Sequence, residues 1–192
     1  MLKATIGRVF LRLAGWQVDD NYPHEVKRLV IIAAPHTTNW DFPFTLAMAW
    51  KLHIPMKFFG KHTLFRFPFG GLLKAVGGIP VNRGKRANLV EALVAEFGER
   101  EELALVVPAE GTRAKGDYWK SGFYRIALQA GVPILPAYVD YVKKRGGFGE
   151  LIHPTGDVRQ DMDKIRAFYS AIIEDPPPNF TPPRLIEEER EV

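Results

Sequence analysis

The most restrictive feature of this chain is a set of short runs that are apolar without interruption. Leu29-Val30-Ile31-Ile32-Ala33-Ala34 is one, residues 103–107 are another, and residues 133–141 form a longer, mostly apolar third. A strand exposed on one face alternates apolar and polar residues, whereas a strand covered on both faces is continuously apolar, as in a parallel sheet. Two shorter strand candidates fall at 56–60 and 79–82, and helical spacing fills most of the intervals, at 41–52, 88–97 and 121–130. Strands alternating with helices predict an α/β fold, a single domain with a mixed, mostly parallel sheet flanked by helices. The 192 residues suit one domain with a sizeable core.

Local chemistry marks several boundaries. Pro43 is tolerable in the first turn of the 41–52 helix. Asn88 and Ser121 are expected helix caps, and Gly77-Gly78 and Gly131 are expected stops. Lys144-Arg145-Gly146-Gly147 predicts a turn into a hairpin partner ending at Ile152. Met162, Ile165, Phe168, Tyr169 and Ile172 line one face of a last helix. Residues 1–175 therefore read as the domain. Residues 176–192 hold five prolines and four glutamates, a composition that predicts a mobile tail.

Charge is unevenly spread. The net charge is only +4, yet no Asp or Glu occurs from residue 42 to residue 90. That stretch mixes Lys51, Lys57, Lys61, Arg66, Lys74, Arg83, Lys85 and Arg86 with many phenylalanines. A positive field among apolar groups suits an anionic membrane surface better than nucleic acid. Residues 2–13 repeat the theme as an amphipathic helix, with Leu2, Ile6, Val9, Phe10 and Leu13 on a stripe and Lys3, Arg8 and Arg12 mostly off it. Such a helix can lie in a bilayer interface or pack on its own domain, and both readings stand open here. No apolar run approaches the ~20 residues of a spanning helix, and no signal peptide is evident. The expectation is a cytoplasmic protein that touches a membrane without crossing it. There is no cysteine, which excludes disulfides, thiolate metal sites and thiol nucleophiles.

Chemistry is expected beyond the carboxyl ends of the strands. There the first long run delivers His36 and, five residues on, Asp41. An imidazole can act as general base, and a carboxylate on its other nitrogen fixes the tautomer. No Gly-x-Ser-x-Gly elbow accompanies them, so the base would activate a hydroxyl of the substrate directly. After the 103–107 run comes Glu110-Gly111-Thr112-Arg113, a glycine, a hydroxyl and a guanidinium suited to phosphate. Gly78-Ile79-Pro80-Val81-Asn82-Arg83 brings a second arginine past another strand. No His and carboxylate spacing suggests a metal site.

These segments resemble the four blocks of the glycerophospholipid acyltransferases, typified by 1-acylglycerol-3-phosphate acyltransferase. His36 and Asp41 match His-x-x-x-x-Asp, Gly78 to Arg83 match the second block, and Glu110-Gly111-Thr112-Arg113 match the third. Val132-Pro133-Ile134-Leu135-Pro136 match the fourth, so the blocks occur in order over half the chain. Two positions depart from the pattern: Ala109 separates Pro108 from Glu110, and Pro35 stands where Asn is often found. The resemblance implies a glycerolphosphate-acyltransferase-like fold, His36 as base and Asp41 as its partner. It implies an acceptor-headgroup site at Arg83, Glu110, Gly111, Thr112 and Arg113. It also implies no cofactor, an acyl-CoA or acyl-ACP (acyl carrier protein) co-substrate, a lysophospholipid acceptor and peripheral contact with an anionic membrane.

Two other readings bear on the same residues. The acceptor could be an aminolipid or a glycolipid, or the chain could be a non-catalytic lipid-binding module. Nucleic-acid binding lacks an aromatic platform motif. A nucleotide-binding loop at 78–85 fails on spacing, with Arg86 in place of the required Ser or Thr.

Overall fold

The computed structural model describes residues 2–81 and 87–189, side chains at 87 and 88 excepted. A seven-stranded sheet forms its centre. In chain order the strands are β1 (Gln17–Val18), β2 (Arg28–Ala33), β3 (Met56–Lys61), β4 (Gly78–Val81), β5 (Leu103–Val107), β6 (Ile134–Asp140) and β7 (Arg145–Phe148). Their spatial order is β1-β7-β6-β2-β5-β3-β4, and every pairing is parallel except β6 with β7. The helices are α1 (Leu2–Leu13), α2 (Asp41–Lys51), α3 (Gly70–Ala75), α4 (Ala87–Glu99), α5 (Gly122–Ala130) and α6 (Val158–Ile172).

The continuous apolar runs form the middle of the sheet for the expected reason. In β2, Leu29 and Ile31 enter the layer under α2, while Val30 and Ile32 enter the layer under α4, α5 and α6. All four are essentially buried, and burial of such a side chain is worth about 1.5–3 kcal/mol. Register places Val30 beside Leu105 on one side and Ile134 on the other, so the three apolar strands are immediate neighbours.

The structure departs from the sequence expectations at several points. The two-residue β1 was not foreseen; it pairs with β7 through Gln17 N–H to Lys144 O and Asp19 N–H to Gly146 O, each 2.9 Å. The hairpin partner of β6 stops at Phe148, and Ile152 returns only as an isolated bridge to Ile134. Ser121 occupies the cap position of α5 but its side chain makes no capping bond. Asp157, which was not foreseen, caps α6 by accepting Gln160 N–H at 3.1 Å. Gly131 ends α5 in the left-handed region as expected.

Two features bear on function. Helix α1 packs on the domain through Ala4, Gly7 and Leu11, with only Phe10 of the apolar stripe joining them against Phe44. A Cβ at Gly7 would collide with the Ala47 carbonyl of α2, so glycine sets the close approach of the two helices. Leu2, Ile6, Val9 and Leu13 are left exposed, Leu13 at 83%. The expected mobile tail is held against the body over 176–189. Leu185 is fully buried, Trp119 Nε1–H donates to Thr181 O at 2.6 Å, and Trp119 N–H donates to Arg184 O at 2.8 Å. The prolines fall in the irregular part of the strap, ahead of the 3₁₀ turn Ile186–Glu189 that ends it.

Candidate active site

Strands β2, β3, β4, β5 and β6 all point their carboxyl ends to one edge, and the candidate residues gather there. The chain leaves β2 at Ala33, places His36 in the following loop and enters α2 at Asp41. That turn returns Asp41 to the histidine: Oδ2 lies 3.1 Å from His36 Nδ1. Thr38 supports the return. Its N–H donates to Oδ2 at 3.0 Å, and its hydroxyl donates to Oδ1 at 3.1 Å. Tyr141, immediately after β6, donates its hydroxyl to Oδ1 at 2.8 Å. A carboxylate on Nδ1 selects the tautomer protonated there and leaves Nε2 to accept a proton.

Asp41 is buried, and burial alone would push its carboxyl up. Hydrogen bonds from His36, the Thr38 amide, Tyr141 and the Thr38 hydroxyl outweigh that and hold it below the ordinary range. The dyad therefore keeps an ionised partner for the imidazole at neutral pH.

Glu110 lies behind the histidine. It is 1% exposed, and its Oε1 accepts the His36 backbone N–H at 3.0 Å. Burial pushes its carboxyl up, offset in part by the His36 and Thr181 amides. The Thr181 amide is near enough to favour the charged form, yet Oε2 makes no hydrogen bond among the described residues. Gly111 follows at φ +69°, where a side chain is strained, and a Cβ would meet Lys120 Cγ at 2.6 Å.

The dyad forms part of the wall of a cavity of about 340 Å³. Arg113 joins His36 and Asp41 there, and Phe42, Phe58 and Leu73 contribute apolar wall. Phe42 and Phe58 meet edge to face at 4.8 Å between centroids. Other members of the acid-free aromatic stretch lie outside the cavity: Phe67 is 98% exposed and Phe69 67%.

The structure thus brings His36, Asp41, Glu110 and Arg113 together at one edge of the sheet. Glu110 accepts the His36 backbone N–H from a buried position. The Thr112 hydroxyl accepts Ala114 N–H at 3.2 Å within its own loop, and Gly111 lines a separate cavity with Lys120. Arg83 lies outside the described residues. Tyr141 and Thr38 were missed. Thr38 lay in view between His36 and Asp41, whereas Tyr141 is 100 residues from Asp41 and reaches it only because β6 pairs with β2. Among the described residues no cluster of His or carboxylate side chains could hold a metal ion.

A mostly parallel sheet with a carboxylate-bound histidine at its carboxyl edge, beside an apolar cavity, defines an α/β protein whose site suits proton transfer next to an apolar substrate. A model of the acyltransferase family matches residues 17–140, from β1 to the end of β6. The 1-acyl-sn-glycerol-3-phosphate acyltransferase of Salmonella typhimurium is 31% identical over 160 residues, covering 77% of this chain and 64% of that protein. The enzyme of the same name from Escherichia coli is 30% identical over 147 residues, covering 71% and 59%. The chain belongs to the acyltransferase family. It spans less than two thirds of the length of these two relatives. The crystal structure of the 1-acyl-sn-glycerophosphate acyltransferase PlsC from Thermotoga maritima superposes with a TM-score of 0.63, over 91% of this chain and 80% of that one. At 15% identity, that likeness concerns the fold.

Proposed function

We propose that this protein transfers a fatty acyl chain from an acyl thioester, of coenzyme A or acyl carrier protein, to the hydroxyl of a lysophospholipid such as 1-acylglycerol-3-phosphate. The observation that carries this reading is the 3.1 Å His36–Asp41 pair in the wall of the apolar cavity. In the proposed reaction His36 Nε2 takes the proton of the acceptor hydroxyl as its oxygen attacks the thioester carbonyl. The tetrahedral intermediate then collapses, the C–S bond breaks, and the imidazolium returns the proton to the departing thiolate. Asp41 stabilises the imidazolium between these steps. The cavity takes the acyl chain, and Arg113 at its wall takes acceptor phosphate, with Arg83 as the expected second contact.

The acceptor is met at the cytoplasmic face of an anionic membrane. What supports this is the exposed stripe of Leu2, Ile6, Val9 and Leu13 beside exposed Lys3, Arg8 and Arg12. Lys3 Nζ donates to Ala75 O at 3.1 Å, which joins α1 to the region of Phe67, Phe69 and Leu72, also exposed. No described helix is long and apolar enough to cross a membrane.

The test is mass spectrometry after incubating purified protein with acyl-CoA or acyl-ACP and a panel of lysophospholipids, aminolipids and glycolipids. A diacyl phospholipid product is expected. Acylation confined to non-phosphorylated acceptors overturns the phospholipid assignment, and no product with any pair overturns the enzymatic one.

A further inference from the structure

Among the described residues two hydrogen bonds reach each oxygen of Asp41, and they differ in origin. His36 Nδ1 and the Thr38 amide meet Oδ2, and the Thr38 hydroxyl meets Oδ1, all from the loop that precedes α2. Among the described residues, only the Tyr141 hydroxyl, 2.8 Å from Oδ1, arrives from a separate part of the fold, just past the end of β6. The distinction has mechanical weight. The terminal torsion of an aspartate is broad, and contacts from one short loop can turn with the carboxylate. A donor anchored to the sheet cannot.

The anchor itself is held. The Tyr141 ring meets Trp16 edge-on at 5.2 Å and Phe44 edge-on at 5.7 Å, and Trp16 stacks on Phe44 at 4.3 Å. Burial first, and then the neighbouring Asp41, keep the phenol protonated, against the Thr38 hydroxyl that eases it down, so it remains a donor at any working pH. Trp16 follows α1 and Phe44 belongs to α2, so the ring sits between α2 and the segment that links α1 to β1.

We infer that Tyr141 is a positioning residue for acyl transfer: its hydroxyl fixes the rotation of the Asp41 carboxylate, so that Oδ2 stays on His36 Nδ1 while the imidazole accepts and returns the proton. This rests on the acyltransferase reading above. It concerns a residue outside all four sequence blocks.

Tyr141→Phe is the discriminating variant, since it keeps the ring and its aromatic contacts and removes one oxygen. Tyr138→Phe is the control. Tyr138 lies on β6, three residues earlier, and donates to Asp19 Oδ2 at 2.9 Å, away from the dyad. A hydrogen bond to a charged group supports a loss of at least about tenfold, so kcat of Tyr141→Phe is expected to fall by that much. KM for both substrates should stay within about twofold, because the lost contact touches neither. Tyr138→Phe should keep its kcat while losing a similar amount of thermal stability. Nitrogen-15 NMR of the His36 ring, without substrate, supplies a second readout: wild type should hold the Nδ1-protonated tautomer and Tyr141→Phe should show a mixture. An unchanged tautomer in the variant overturns the inference, as does a kcat loss no greater than that of the control. If wild type transferred no acyl group at all, the functional reading would fail while the tautomer measurement still decided the role of Tyr141.

Discussion

Removing the imidazole is the most direct intervention at the residue scale. His36→Ala should lower transfer by at least ~10²–10⁴-fold, the usual contribution of a general base, and leave the melting temperature nearly unchanged. Turnover near wild type would remove His36 from the mechanism. Asp41 has a signature in stability as well. Its carboxyl is held below the ordinary value of 3.8, so folding favours the ionised form. That contribution is complete above the unfolded-state value and is lost as pH falls through the depressed native one. Urea melts of wild type and Asp41→Asn should therefore show a stability gap that is constant near neutral pH and narrows below about pH 4. A gap that stays flat through that range would contradict the assigned bonds. Arg113 tests the headgroup: Arg113→Ala should weaken phosphorylated acceptors by about tenfold or more and neutral ones much less. Equal losses in a competition assay would move the phosphate contact elsewhere.

At the scale of the element, α1 separates two roles on two faces. Its small face meets α2, where Gly7 leaves no room for a side chain. Gly7→Leu should cost about 1–3 kcal/mol by overpacking, read from denaturant midpoints. Ile6→Glu combined with Val9→Glu alters only the exposed face. Stability should hold, while co-sedimentation with anionic vesicles should drop and become more sensitive to salt. If the double variant bound vesicles as wild type does, the stripe would not be the docking surface. A large loss of stability would instead mean that the stripe packs against the domain.

For the whole molecule, the strap of residues 176–189 closes the structure behind the site. Leu185 enters the core shared by α4, α5 and α6, and Thr181 meets both the Trp119 indole and the neighbourhood of Glu110. Leu185→Ala should therefore cost about 2–5 kcal/mol, as other deletions from a packed core do. Truncation after residue 175 should destabilise the domain further and loosen the loop that carries Glu110. Calorimetry of both forms measures this directly. A truncated chain as stable as the full one would restore the view of this segment as a free tail.

Much of this architecture is a local property of the chain. Residues 29–33 and 103–107 are buried strands because no polar side chain interrupts them, and the His36–Asp41 pair closes over five residues, a distance that a strand-to-helix turn spans unaided. These features depend on period and spacing, which a sequence carries explicitly. Three others were decided only by tertiary structure. Tyr141 meets Asp41, and Glu110 meets the His36 backbone, because β6 and β5 take the two places beside β2, and pairing order is a property of the assembled sheet. The strap docks although its composition is that of a mobile segment, because a few residues such as Leu185 find matched partners that an average over composition cannot register. Helix α1 turns Leu2, Ile6, Val9 and Leu13 outward because Ala4 and Gly7 let two backbones approach closely on the other side. Periodicity identifies the faces of a helix, but the shape of the neighbouring helix chooses which one is buried.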